Sequence, residues 1–136
     1  HAAIAGMRRT ASRATNAHVP ALGDTAARLR DAADSLDRTT IHLLKALSGN
    51  QPDEALGGAT PYLRLFGLAE GLAALTEAAL ASHEAQKQGD TDPVHAGRIA
   101  LARFFADNIA PGAAGLEVAV MDGGASLREG EAALAN

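Results

Sequence analysis

The sequence predicts an all-α protein, an antiparallel four-helix-type bundle of long helices with a proline-kinked or split last helix. Alanine and leucine dominate an apolar content of 47%, and both residues favour helix. Apolar residues recur at spacings of three and four through most of the chain. The breaks in this pattern contain glycine and proline where helices end and begin. The 136 residues suit one domain with a single core.

The first twenty residues carry the weakest pattern. We expect residues 1–20 to be weakly ordered or a partial helix, with Pro20 ending it or opening the next one. His1 is interpreted as a possible tag remnant. A chain that lacks an initiator methionine is typical of a fragment taken from a longer protein. The bundle domain is predicted over 21–128, followed by a frayed tail over 129–136.

A heptad stripe predicts the first long helix. Asp24 is a suitable N-cap, and the helix should stop near Ser48 with Gly49 just beyond. Ile41 and Leu44 widen the stripe near its end. Its positions alternate in spacings of four and three: Leu22, Ala26, Leu29, Ala33, Leu36, Thr40, Leu43 and Leu47.

A second long helix is predicted from Thr60 to about Gln88. Threonine at the cap with Pro61 in the first turn starts it, and Gly89 closes it. Its apolar positions cover more than one face, so it should be central. Small residues within it form a predicted helix-packing strip, for close approach of another backbone: Gly67, Gly71, Ala74 and Ala78.

The third helix should begin at Thr91 or Asp92, with Pro93 in its first turn. Pro111 should kink the helix or end it and start another, and Gly123-Gly124 should end the apolar pattern. Four aromatic side chains of the second and third helices are the expected core anchors: Tyr62, Phe66, Phe104 and Phe105.

Composition excludes several classes of function. The net charge of −4 and an aromatic content of 3% disfavour a nucleic-acid partner. The absence of cysteine excludes disulfides and thiolate chemistry, as is typical of a cytoplasmic protein. No apolar run approaches the roughly 20 residues of a membrane span, so no membrane partner is expected.

No pattern in the chain predicts catalysis. Glu70 and Glu77 share a helix face, but we interpret them as a solvated face or as partners for Arg64 and Arg103. No histidine has a glutamate three residues before it, as di-iron bundles require, and His95 in a helix cap comes nearest. The two Gly-Gly pairs lack the lysine of a phosphate loop. We therefore expect no catalytic, cofactor-binding or metal-ligating residue.

Two stretches nevertheless resemble a known family: YLRLFGLAEGLAALTEAALAS and RIALARFFADNIAPGAAGLEVAVMDGG. They are similar to the C-terminal helical domain of the long-subgroup acyl-CoA dehydrogenases, whose members include enzymes like 3-methylmercaptopropionyl-CoA dehydrogenase. The matching motifs are Tyr62 to Gly67, Ala102 to Pro111, and the exit from Gly123 to Ala125. The resemblance covers roughly residues 22–128. Glu70-Gly71 departs from the small apolar residues that relatives often have there.

The resemblance implies an accessory domain of an FAD-dependent acyl-CoA dehydrogenase of fatty acid metabolism. Such enzymes oxidise acyl-CoA to 2,3-enoyl-CoA, and their catalytic glutamate and main FAD and CoA sites lie in a dehydrogenase core upstream. The implied partner is that core, in a homo-oligomer, and no catalytic residue carries over. Two alternatives remain: a free-standing helical module that self-associates through the packing strip, and, more remotely, a metal-binding bundle.

Overall fold

The computed structural model describes residues 1–135, which form helices and no strand. Two short 3₁₀ turns, Pro20–Leu22 and Ala110–Gly112, precede the second and the last helix. The all-α prediction and the split last helix are therefore confirmed. The five helices are α1 (Ala2–Ala17), α2 (Thr25–Ser48), α3 (Pro52–Lys87), α4 (Pro93–Asn108) and α5 (Ala113–Ala135).

Helix α3 is the centre of the bundle and contacts each of the other four helices. The ring of His1 lies edge-on to that of Phe66, so the first turn of α1 lies beside Phe66 of α3. Gly57, nine residues earlier, lies against Gly123 of α5. Nine residues of helix turn through about 180°. Helices α1 and α5 therefore pack on opposite sides of α3.

The first segment, predicted to be weakly ordered or a partial helix, contains the 16-residue helix α1, and Pro20 begins the short 3₁₀ turn that follows. Ile4, Met7, Ala11 and Ala14 recur at spacings of three and four, and all four are buried. Their burial against α2 and α3 stabilises a segment whose own sequence pattern is weak. The helix ends at His18, whose φ of 50° is the left-handed conformation typical of a helix terminus.

The heptad stripe of α2 is buried in its first half and exposed in its last turn. Leu29, Ala33 and Leu36 are completely buried, whereas Leu47 is 62% exposed. The helix ends at Ser48 with Gly49 as its C-cap, as predicted. Asp24 occupies the N-cap position, but its side chain makes no capping hydrogen bond.

Helix α3 begins at Pro52, so the predicted start at Thr60 was wrong. Proline inside a helix removes a hydrogen bond to the carbonyl four residues earlier and crowds that residue. For Pro61 that residue is Gly57, which has no side chain to add to the crowding. Acidic residues Asp53 and Glu54 in the first turn favour the earlier start.

One of the features predicted for the last helices differs in the structure. The cap of α4 is as expected, with the Asp92 side chain accepting from the amide of Val94 at 2.9 Å. Gly123 and Gly124, however, lie inside α5 rather than at its end. Residues 129–135 of the predicted frayed tail are exposed and have the helical backbone of α5, and residue 136 lies outside the described residues.

Three of the four expected aromatic anchors pack against the core. Tyr62, Phe66 and Phe105 are partly buried against the larger apolar cluster, which includes Met7, Leu36, Leu65 and Leu72. Phe104 is 57% exposed, so its assignment to the core was wrong. Adjacent residues of a helix point about 100° apart, and in this pair it is Phe105 that faces the core.

Candidate functional site

The most buried ionisable side chain is that of His95, which links α4 by hydrogen bonds to α3 and to the loop between the two helices. Its Nδ1 lies 3.0 Å from the Ser82 hydroxyl and its Nε2 lies 2.9 Å from Asp90 Oδ2. The amide of Asp92 also donates to Asp90, and these two hydrogen bonds hold the pKa of the Asp90 carboxyl below its usual value. Both ring nitrogens are thus used in hydrogen bonds that hold the connection between α3 and α4 in place.

A second polar cluster joins α2 to α5. Arg38 binds Glu117 through two hydrogen bonds, Nε to Oε1 at 2.6 Å and Nη2 to Oε2 at 3.0 Å. The Ser35 hydroxyl donates to Glu117 Oε2 at 2.6 Å. Chiefly because of the arginine, the pKa of Glu117 is lowered, even though partial burial opposes the shift. This bidentate pair sets the register between the two helices.

A third cluster lies where α2, α3 and α5 meet. Glu54 forms an ion pair with Arg128, and its Oε2 lies 3.9 Å from His42 Nε2. This nitrogen of His42 is buried without a hydrogen-bond partner among the described atoms. The side chain as a whole is 29% exposed, so His42 lies at the boundary between the apolar stripe of α2 and solvent.

The two glutamates of α3 that share a face have different surroundings. Glu77 accepts a hydrogen bond from the Thr10 hydroxyl at 2.9 Å and lies 3.8 Å from Arg13, both on α1. Glu70 lines the same open groove between α1 and α3. Arg103, an expected partner, instead lies 3.5 Å from Asp107. Glu77 therefore helps to attach α1.

No group of residues in the described chain resembles a metal or phosphate site. Over residues 1–135 there is no cluster of three or more His, Asp or Glu side chains that could hold a metal ion. Gly57-Gly58 and Gly123-Gly124 lie within helices, where the helices use their amides, so neither forms a loop that could cradle a phosphate.

The close approach between backbones occurs away from the predicted packing strip. A Cβ on Gly57 would lie 2.6 Å from the carbonyl carbon of Gly123, so α3 and α5 touch through their main chains. A Cβ on Gly67 would meet nothing within 4 Å, and one on Gly71 would meet only the Phe105 ring at 3.5 Å. Ala74 is exposed. Within this chain, the strip is therefore not where two backbones meet.

Two exposed apolar surfaces remain. The first, which we name the α4 face, consists of Val94, Leu101 and Phe104, which are 42%, 50% and 57% exposed. These residues share one side of α4, since they are seven and three residues apart. The second, which we name the α2–α3 strip, consists of four residues that are 58–69% exposed: Leu44, Leu47, Leu56 and Leu63.

The family comparison decides where the chain belongs. A family model described as acetyl-CoA dehydrogenase C-terminal like matches residues 3–130. The chain belongs to this family. The match includes α1, which lay outside the stretch of resemblance in the sequence, and it agrees with the packing of α1 on the core. No curated protein and no solved structure matched the chain.

Helix α3 also meets the length and hydropathy of a membrane span. Pro52–Lys87 is the one such helix among the described residues, and 39% of its most apolar window is buried inside the bundle. The central helix of a water-soluble bundle meets the same criterion. Helix α3 contacts every other helix, so part of its apolar surface is used for packing within the bundle.

Proposed function

We propose that this chain is a non-catalytic accessory domain of an FAD-dependent acyl-CoA dehydrogenase. In the parent enzyme, FAD accepts the hydride as acyl-CoA is oxidised to 2,3-enoyl-CoA. The domain would support assembly of the enzyme or shape its substrate site. Membership of the acetyl-CoA dehydrogenase C-terminal like family carries this proposal. The enzyme would be a cytoplasmic homo-oligomer.

The α4 face is the surface that we assign to the dehydrogenase core. Its aromatic side chain, Phe104, presents more than half of its surface to solvent beside Leu101. Burying a large apolar side chain contributes about 1.5–3 kcal/mol, which is a strong reason for such a face to be covered in the parent enzyme. The shallow depression beside Phe104 also contains Arg103 and Asp107, a polar rim that suits a protein interface.

The test compares two exposed positions in the native polypeptide. Phe104→Asp places a charge in the α4 face, and Val118→Asp places one on α5, where the side chain is similarly exposed at 59%. We expect Phe104→Asp to lower flavin-dependent acyl-CoA oxidation or enzyme assembly several-fold and Val118→Asp to leave both near wild type. A native polypeptide without acyl-CoA oxidation would contradict the enzyme assignment. Equal effects of the two variants would contradict the docking face.

A separate measurement concerns the 136-residue chain by itself. Because its residues provide neither a phosphate cradle nor a catalytic group, we expect it to bind neither FAD nor acyl-CoA tightly. Flavin absorbance that copurifies with the chain would argue against this. Titration with an acyl-CoA, followed by calorimetry, gives the second readout.

Self-association is the alternative function, and one observation favours it. Gly67 and Ala74 are exposed, so part of the small-residue strip remains available to a second copy of the chain. The native reading frame distinguishes the two functions. A dehydrogenase core encoded upstream supports the accessory domain, whereas a stop codon and a start near Met7 support the self-associating module.

A further inference from the structure

The α2–α3 strip is one continuous surface, because α2 and α3 are in contact along it. Thr40 Oγ1 lies 2.8 Å from the Tyr62 hydroxyl oxygen. A methyl group added to Gly58 would lie 3.0 Å from Leu43 Cδ2. Each of the four leucines of the strip lies within four residues of one of these contact residues along the chain. The exposed leucines of the two helices therefore lie side by side.

The strip is almost free of charge. Residues 56–63 of α3 contain no acidic or basic side chain, and residues 41–48 of α2 contain one lysine and no carboxylate. Ile41, one turn before Leu44 and 54% exposed, adds a fifth aliphatic side chain to this surface. The centres of protein interfaces are depleted in charged residues, and contiguous exposed apolar patches mark interaction sites. The composition of the strip is therefore that of the centre of an interface.

We propose that the α2–α3 strip is a two-fold interface through which two copies of this chain form a reversible dimer. A two-fold interface places the same patch of both copies face to face. An uncharged patch can meet its own copy without repulsion between like charges. A membrane surface suits the strip less well, because a chain with a net charge of −4 and one lysine beside the leucines is not attracted to anionic lipids.

The area of the strip is close to the minimum that a specific dimer needs. A leucine side chain has roughly 100 Å² of apolar surface, so the five aliphatic side chains, which are 54–69% exposed, present about 300 Å² per copy. Two copies supply about 600 Å², and since apolar atoms form roughly 60% of an interface, the full contact would bury about 1,000 Å². Specific interfaces begin near this size, so we expect a dimer that dissociates on dilution.

Sedimentation equilibrium of the 136-residue chain tests the proposal. Between about 1 µM and about 1 mM the mass should rise from that of one chain to that of two. Leu44→Glu and Leu56→Glu should each keep the mass at one chain, because two copies of the new carboxylate would face each other in the contact. Val118→Glu, at a position on α5 that is 59% exposed, is the matched control and should dimerise like the wild type.

Photo-crosslinking tests the same contact without placing a charge in the strip. A benzophenone amino acid replaces Leu56, and an equal mixture of unlabelled and isotopically labelled chains is irradiated. We expect crosslinked peptides that contain both isotopic forms, with the attachment within residues 41–64 of the second copy. Circular dichroism of every variant shows whether the helices are retained.

Three results would overturn the proposal. The first is a wild-type mass of one chain at every concentration. The second is a dimer that survives in folded Leu44→Glu and Leu56→Glu, or crosslinks between copies that lie outside residues 41–64. The third is a monomeric chain that cosediments with vesicles of phosphatidylcholine and phosphatidylglycerol, which would assign the strip to a membrane surface.

The proposal rests on the proposed function only in that it gives the homo-oligomer a contact surface. All of the residues involved lie in this chain, so the measurements need neither a dehydrogenase core nor turnover. A chain that dimerises through the strip, in a native polypeptide that oxidises no acyl-CoA, would contradict the enzyme assignment alone. Acyl-CoA oxidation by a native polypeptide whose isolated 136-residue chain stays monomeric would contradict the dimer alone.

Discussion

Two glycine pairs in α3 have opposite environments. Gly57 and Gly58 lie at the contact with α5, where added methyl groups would meet Gly123 and Val120 at 3.0 Å or less. At Gly67 an added methyl group would meet no atom within 4 Å, and at Gly71 it would reach only an aromatic ring. Gly57 and Gly67 are only ten residues apart on one helix, yet Gly57 contacts another main chain and Gly67 faces solvent.

The difference shows that small residues on one helix do not determine where two helices approach. The second helix must also have small residues at the matching position along its own axis, so that its backbone can approach. Helix α5 does so through Gly123 and Gly124, whereas α4 presents the ring of Phe105 to Gly71. Pro61 adds a further feature, because it leaves the Gly57 carbonyl without its helical donor and that carbonyl lies against Gly123.

The largest expected effect on stability comes from adding a methyl group at the contact between Gly57 and Gly123. In Gly123→Ala the added methyl group would overlap the main-chain carbonyl of Gly57, which cannot move as a side-chain end can. Overpacking costs about 1–3 kcal/mol, and against a main chain we expect the upper end, about 3 kcal/mol, which is offset by a gain of about 1 kcal/mol in helix propensity. We therefore expect a loss of about 2 kcal/mol and a lower Tm, measured by thermal and urea unfolding followed by circular dichroism.

Gly115→Ala is the control for this substitution. Gly115 lies on the same helix α5, but a methyl group there would meet nothing within 4 Å. It should raise the free energy of unfolding slightly through helix propensity alone. If both alanine variants were equally stable, the contact between the α3 and α5 backbones would not limit packing.

A smaller effect is expected at the other attachment of α5, the Glu117–Arg38 pair. Glu117→Gln removes the charge that accepts two hydrogen bonds from Arg38, and since Arg38 is 58% exposed we expect a loss of about 1 kcal/mol at pH 7. The folded-state pKa of Glu117 lies below its ordinary value of 4.5. Its contribution is therefore present above that value and lost as the pH falls through the folded pKa.

Unfolding measured from pH 7 down to pH 3 checks this dependence. The wild type should lose stability more steeply below about pH 4.5 than the Glu117→Gln variant does. The variant retains the size of the side chain and its hydrogen-bonding oxygen, so packing changes little. Parallel pH profiles for the two proteins would show that the pair does not stabilise the fold.

Helix ends with local signals could be predicted from the sequence. Gly49 and the Asp92-Pro93 pair act within a few residues, and the structure places helix termini there. Pro61 misled the prediction for α3, because tolerance of an internal proline depends on Gly57 and on a contact with another helix. Helix α1 was underestimated since its order comes from burial of Ile4 and Met7 by distant segments.

The surfaces of the bundle were less predictable than its helices. Phe104 and Phe105 look equivalent in the sequence, and only the packing of α4 shows which one faces solvent. Leu44 and Leu47 of the α2–α3 strip belong to the apolar stripe that predicted α2, yet both are more than half exposed. A helical sequence pattern identifies an apolar face but not the segment that covers it.

The smallest effect is expected at the glycine that makes no contact within the chain. In Gly67→Ala the methyl group enters open space, so reduced backbone freedom in the unfolded state should stabilise the protein by about 0.5–1 kcal/mol. We expect a higher Tm and an unchanged mass by light scattering at every protein concentration. If the chain instead formed a dimer that this variant weakened, the face containing Gly67 would be a contact between copies, because only a second chain could meet the added methyl group. If Gly67→Ala stabilises the protein and the mass does not change, then Gly67 makes no contact between copies, and the close backbone contact of the bundle is the one between Gly57 and Gly123.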